Sequence, residues 1–175
     1  WCALSINKNI TWKIIKDKSF GYVLLTWFIM GFANLWTLPL RVDYVTAPEW
    51  GIEGSAIYVA MIITIIPETI RMILIPFWAS LFDKMNFVVL RMTLNLLFGF
   101  GVLLFFITSN PWVIGMGSAL IGAAFAGGSI AWNLWVTKYA PPGKAGAYIS
   151  VHVSLTGIRG TIGPILGYWT VNLIG

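Results

Sequence analysis

Glu68 and Arg71 stand three residues apart inside a long apolar run, residues 55–82, and Arg159 stands near the middle of another, residues 145–174. A spacing of three puts Glu68 and Arg71 on one face of a helix. Charges within such runs are costly when they meet hydrocarbon, so they persist where they face water, a partner or a solute. Glu68 offers a carboxylate that can take a proton or a cation, and Arg159 a guanidinium suited to an anionic group. Pro67, beside Glu68, removes a backbone donor and favours a kink that would bare carbonyls next to it. The plainer alternative is a static Glu68–Arg71 pair in which each charge neutralises the other. His152 lies two turns before Arg159; its near-neutral titration suits a proton relay, although a lone histidine there more often serves packing. Asn34, Asn95 and Asn133 are single amides within apolar runs, and hydrogen bonding between helices is the simplest account of any one of them.

The elements that position these groups follow from composition. Of the 175 residues, 58% are hydrophobic and 10% charged, far below the quarter or so of charged residues that wets a soluble domain. Five apolar runs, at about 20–40, 55–82, 87–108, 112–136 and 145–174, are each long enough to cross a bilayer as a helix. Alternation of apolar and polar residues is absent, which argues against a β-barrel. The fold class expected is all-α: a polytopic transmembrane bundle of about five spans over residues 20–175, preceded by a basic segment, residues 1–19. Short connectors (Asp83 to Asn86, Ser109 to Pro111, Pro141 to Gly143) predict that sequential spans are antiparallel neighbours.

Charge sets a direction. Lys8, Lys13, Lys16, Lys18, Lys84, Arg91, Lys138 and Lys144 fall on one side of the expected spans, while Arg41 sits among Asp43, Glu49 and Glu53 on the other. By the excess of cations on inner loops, the N-terminal side is cytoplasmic, and the net charge of +5 needs no nucleic acid to explain it. The lysine-rich stretch with Ile10, Trp12, Ile14 and Ile15 suits a segment lying along the inner leaflet. Trp36, Trp50, Trp78, Trp112, Trp135 and Trp169 fall near span ends, where indoles settle at headgroup level. One cysteine and one histidine leave too few ligands for a disulfide framework or a zinc site, and no metal or cofactor is expected. The opening at Trp1 and the odd number of spans point to a piece of a longer chain.

Leu81-Phe82-Asp83-Lys84-Met85-Asn86, followed by Arg91, resembles the Gly-x-Leu-Ala-Asp-Arg-x-Gly-Arg loop between the second and third helices of each half of the major facilitator superfamily. Leu81, Asp83 and Lys84 fit; Ala79, Asn86 and Phe87 depart from the pattern. The resemblance implies a gating latch in which Asp83 caps the third span or pairs with Arg91; an ordinary charged turn is the alternative. Gly160, Gly163, Pro164 and Gly167 resemble the Gly-Pro-x-x-Gly core of that family's fifth or eleventh helix, where small residues allow close approach and proline a kink. Gly115, Ala119, Ala123, Gly127 and Ala131 form a complementary small stripe on the fourth run. The junction from Lys13 to Phe32 resembles the entry to the seventh helix, making the spans helices seven to eleven of the second half; helices one to five are the alternative.

The resemblance implies a secondary transporter of a small solute, working by alternating access and coupled to an ion, with the proton as the expected one. Its partners would be that solute, the coupling proton, the lipid bilayer of a plasma (bacterial inner) membrane and the other half of the same chain. By the family pattern Asn34, Trp132 and Asn133 line the pathway, and Asn95, on a peripheral helix, does not. A membrane-embedded enzyme finds no clustered histidines and carboxylates here. A non-transporting receptor or assembly subunit on the same fold stays open.

Overall fold

The structure, a computed structural model, describes residues 14, 17–50, 52 and 54–174; Glu49, Asn133 and Ile174 are described by their backbone alone. Most of the basic segment expected over residues 1–19, including Lys8, Lys13 and Lys16, lies outside the described residues, as does Glu53. Five long helices follow: α1 (Lys18–Thr46), α2 (Ala56–Lys84), α3 (Phe87–Phe106), α4 (Pro111–Tyr139) and α5 (Ala145–Ile174). No strand occurs among the described residues.

Local chemistry sets the helix ends. Asp17, Ser55, Asn86 and Asn110 each accept a hydrogen bond from a first-turn N–H of α1, α2, α3 and α4, satisfying donors the helix itself cannot. Pro48 follows the C-cap of α1 and holds Ala47 extended. Gly143, at φ 77°, turns the chain before α5 in a conformation that glycine adopts without strain. Within α2, Pro67 has no N–H for the carbonyl of residue 63. The helix absorbs the defect by widening into a π-turn over Met61–Ile65, where the Ile66 N–H reaches the Met61 carbonyl.

Four helices, α1, α2, α3 and α4 as far as Trp132, are long and apolar enough to cross a membrane. At 30 residues α5 has the length, but His152, Arg159 and its glycines, serines and threonines dilute its apolarity. Of the five apolar runs, then, the fifth forms a helix of a different, more polar kind. Mid-helix side chains such as Met72, Phe77, Met92, Leu96 and Phe100 stand more than half exposed. A surface of that kind is unstable in water and comfortable in hydrocarbon.

Packing departs from the sequential order the short connectors suggest. Helix α1 pairs with α5, and α4 is wedged between α2 and α3; of the sequential neighbours only α3 and α4 pack along their length. Helices α1 and α5 run parallel: the Tyr148 hydroxyl donates to Asp17 at one end (3.2 Å) and Trp36 Nε1 to Thr170 at the other (2.9 Å). Glycine decides these pairings, since helices in lipid associate through close packing. A Cβ at Gly167 would overlap the Trp36 carbonyl, and one at Gly163 would lie 2.8 Å from Leu35 Cβ. On α4, Gly122 abuts the backbone of Pro67 in α2, while Gly117 faces the backbone of Gly101 and Phe105 in α3. The expected stripe from Gly115 to Ala131 is only part of this: Gly127 packs tightly on Leu94 and Trp78, but Gly115 has ordinary contacts. With two partners, α4 needs two small faces.

Two apolar clusters fill the bundle. The one nearer the start of α1 gathers Phe20, Leu24, Trp27, Trp78, Phe82, Phe87, Trp135 and Tyr148; the other gathers Tyr44, Val45, Ile62, Phe98, Phe105, Ile114 and Ile121. Trp78 and Trp135, expected at span ends, are instead core residues at 5% and 0% exposure. Trp112 and Trp169 are exposed, as indoles at an interface would be. Arg41, expected in a loop, lies inside α1, which runs six residues past Leu40, and is buried beside Asn34.

Candidate functional site

Between the two clusters all five helices open onto one cavity of about 360 Å³. Helix α1 lines it with Trp27, Met30, Gly31 and Asn34; α2 with Glu68 and Arg71; α3 with Arg91, Leu94, Asn95 and Phe98; α4 with Ala124, Phe125, Gly128, Ser129 and Trp132; α5 with Arg159. Helical phase brings each residue there. Phe87, Arg91, Leu94 and Phe98 recur at helical spacing on the buried face of α3, so Arg91 follows its apolar neighbours inward. Glu68 and Arg71 come off the α2 segment that the π-turn re-aims.

Arg71 Nη1 donates to both oxygens of Glu68, at 3.1 and 3.2 Å, and about a third to a half of each side chain stays exposed (37% for Arg71, 49% for Glu68). A pair so open to solvent contributes roughly 0–1 kcal/mol to stability. Arg159 reaches across from α5 and donates Nη1 to the Trp27 carbonyl of α1. It fits there because Gly31, one turn on, has no side chain: a Cβ at that position would overlap the guanidinium. Arg91 places its guanidinium carbon 3.6 Å from the Trp27 ring centroid and is 9% exposed. Trp27 therefore holds two arginines, one on its carbonyl and one on its ring.

Compensation of these charges is uneven. The Nε groups of Arg91 and Arg159 are buried with no hydrogen-bond partner among the described residues. A cation–π contact contributes about 0.5–2 kcal/mol, against a desolvation penalty of several kcal/mol for a buried ion. The only ion pair among the described residues is Arg71–Glu68. Three arginines thus share the cavity with one carboxylate, which is already engaged.

A family model of the Major Facilitator Superfamily matches residues 4–175. The chain belongs to this superfamily. No curated protein and no solved structure matches it. As a major facilitator with apolar helices of spanning length, it is an integral, multi-pass membrane protein and a membrane transporter in the general sense of its family.

Of the residues singled out in the sequence of this major facilitator, Asn34, Glu68, Arg71, Trp132 and Arg159 meet in the cavity. Asn133 lies on α4, and its side chain is outside the described residues. Gly163 and Gly167 pack against α1, flanking Pro164 in α5, whereas Gly160 faces open space and makes no close contact. Neither contact expected of Asp83 at the α2–α3 turn occurs among the described residues. Asp83 and Lys84 are exposed on the last turn of α2, and Asp83 pairs with no cation among the described residues. Asn86 caps α3 in its stead, because Asn86 is the residue immediately before the first turn. Arg91 is turned into the cavity, out of the loop. Lys138, from the end of α4, secures the turn by donating to the Phe82 carbonyl (3.1 Å) with its ammonium 3.9 Å from the Phe82 ring centroid.

Among the lining groups that sequence reasoning leaves out of the pathway, Arg91, Asn95, Trp27 and Gly31 bear on the charges. Arg91 was readable as an ionisable residue inside a span, the same signal that marked Arg159; its nearness to Lys84 assigned it to the loop. Asn95, expected to be peripheral, lines the cavity one turn after Arg91. Nothing in the sequence marks Trp27 or Gly31, whose roles arise only where α1 meets α5. His152 is 3% exposed and ringed by Trp132 (5.1 Å), Trp135 (5.2 Å) and Trp27 (6.2 Å). It does not line the cavity, which fits a packing role better than a relay.

Proposed function

We propose that this chain is part of a secondary active transporter that moves a small solute by alternating access, coupled to protons, with the cavity as a section of the pathway. The observation that carries this reading is convergence. Glu68, Arg71, Arg159, Asn34 and Trp132 come from four helices and line one cavity of about 360 Å³ between two apolar clusters. That volume falls in the range of small-molecule sites.

In this reading Glu68 is the proton site. Its carboxylate stays accessible from the cavity, and protonating it releases Arg71, so that one binding event alters the charge presented to the solute. Arg159 holds an anionic part of the solute, and Asn34 and Trp132 contact it. Helices α1 to α5 correspond to helices seven to eleven, with the start of α1 toward the cytoplasm of a plasma (bacterial inner) membrane. The other half of the same protein closes the cavity, and rocking of the two halves exposes it to each side in turn. The exposed Asp83–Lys84 turn, held by Lys138, meets that other half during the cycle.

Full-length protein reconstituted in proteoliposomes tests this reading. An imposed pH gradient should drive concentrative solute flux that an ionophore dissipates, and Glu68→Gln should leave solute exchange while removing the response to the gradient. Flux that ignores the gradient in the unmodified protein would remove proton coupling. A protein that moves no solute under any gradient would be a receptor, an assembly subunit or an enzyme.

A further inference from the structure

The charges in the cavity do not balance, and the imbalance points to a substrate class. Arg71, Arg91 and Arg159 come from three different helices, and Glu68, the one carboxylate lining the cavity, is bonded to Arg71. Arg91 and Arg159 have no carboxylate within ion-pair distance among the described residues, and each keeps a buried Nε without a partner. Both meet on Trp27, Arg91 over its ring and Arg159 on its carbonyl, which places the two guanidinium groups on one residue. Buried arginine normally pairs with an anion, since a guanidinium presents its N–H groups as a planar fork matched to carboxylate or phosphate. The rest of the lining is of another character. Phe98, Phe125 and Trp132 present flat apolar surfaces in the same cavity. An inorganic ion would leave these rings facing water, whereas an organic body would cover them.

We infer that the cavity takes an organic anion with a planar or otherwise apolar body, its carboxylate or phosphate held between Arg91 and Arg159 and its body against the aromatic rings. This deepens the transporter reading and rests on it for the direction of movement only; the binding chemistry stands by itself. Arg71 is held in reserve by Glu68 and is not the primary anchor. A soluble anion and the headgroup of an anionic lipid share this head chemistry. The burial of Arg91, together with the aromatic lining beside it, favours the soluble one.

The test uses full-length protein in a neutral detergent, with calorimetric binding and the thermal unfolding midpoint as readouts. Benzoate and phthalate are the anionic probes, benzamide and benzylamine their neutral and cationic counterparts, and phosphatidylglycerol the lipid arm. Benzoate or phthalate should bind and raise the midpoint, while benzamide and benzylamine should not. Arg91→Gln and Arg159→Gln should each weaken that binding by roughly tenfold to a hundredfold, and Lys144→Gln, exposed on the turn before α5 and away from the cavity, should leave it within about threefold. Should Arg91→Gln fail to fold, Arg91→Lys and Arg159→Lys carry the test, retaining charge and part of the affinity. Equal binding of benzamide, binding untouched by both arginine variants, or stabilisation by phosphatidylglycerol alone would overturn the inference. Flux of a neutral or cationic solute that is indifferent to Arg159→Gln would do so too while leaving transport intact. Conversely, arginine-dependent benzoate binding without flux of any solute would sink the transport reading and leave the anion site standing.

Discussion

Helices α1 and α5 form one packed unit and α2, α3 and α4 another, and the two units are built alike but joined differently. Inside each, glycine brings backbone against backbone: Gly167 against Trp36 in the first, Gly122 against Pro67 and Gly117 against Gly101 in the second. Between them the joint is made of large side chains. Phe20 and Trp27 of α1 stack on Trp135 of α4, with ring centroids 4.9 and 6.4 Å apart, and Arg91 of α3 lies over Trp27. Backbone contact leaves no space between the helices for a polar side chain. Side-chain contact leaves room, and the cavity with its charges occupies that room. The functional groups therefore lie at the seam, where packing tolerates polar atoms.

The largest expected effect comes from breaking a unit. Gly122→Val drives a side chain into the Pro67 backbone and should lower stability by about 3 kcal/mol, read from thermal unfolding of the full-length protein in detergent. Gly167→Val should act similarly on the α1–α5 unit, whereas Gly160→Val, facing open space, should change stability by less than about 0.5 kcal/mol. Equal effects at Gly160 and Gly167 would mean that α5 does not meet α1 in this register.

At the seam the sign should reverse. Arg91→Met removes an under-compensated buried charge while keeping an apolar chain against Trp27, so the unfolding midpoint should rise by the equivalent of about 1 kcal/mol as solute binding falls. A fall in stability would show that Arg91 is fully paired in the complete protein. Gly31→Ala sharpens the same point: it should displace Arg159 and reduce solute affinity, with stability altered by no more than about 1 kcal/mol. A change in unfolding without a change in affinity would place Arg159 outside the site. The smallest effect belongs to Trp36→Phe, which removes the hydrogen bond to Thr170 at the far end of the first unit; about 0.6 kcal/mol is expected, as for other hydrogen bonds between membrane helices.

Five of the cavity groups are legible in the sequence, three of them because an ionisable side chain in an apolar run is conspicuous by its cost. Glu68, Arg71 and Arg159 stood out for that reason, with Asn34 and Trp132 added by family resemblance. Arg91 lies near the loop in chain distance, but helical phase on α3 decides its direction and turns it into the cavity. Capping is a similar case: Asp83 beside the turn looks placed to cap α3, but Asn86 has the position for it, and Lys138 has the reach for the Phe82 carbonyl. Gly160 and Gly163 look equivalent in sequence, and only the angular position of α1 around α5 separates them.

By itself the sequence determined the class of fold and the number of long helices. Both depend on a local quantity, apolar length set against bilayer thickness. Tertiary structure alone decided which helices pair, that α4 is sandwiched while α5 lies on α1, and that three arginines share one cavity with one carboxylate. Hydropathy says that a helix is buried in lipid or protein but not which neighbour it meets. That choice rests on the fit of small residues to particular backbones in space, and the fit exists only once the chain has folded.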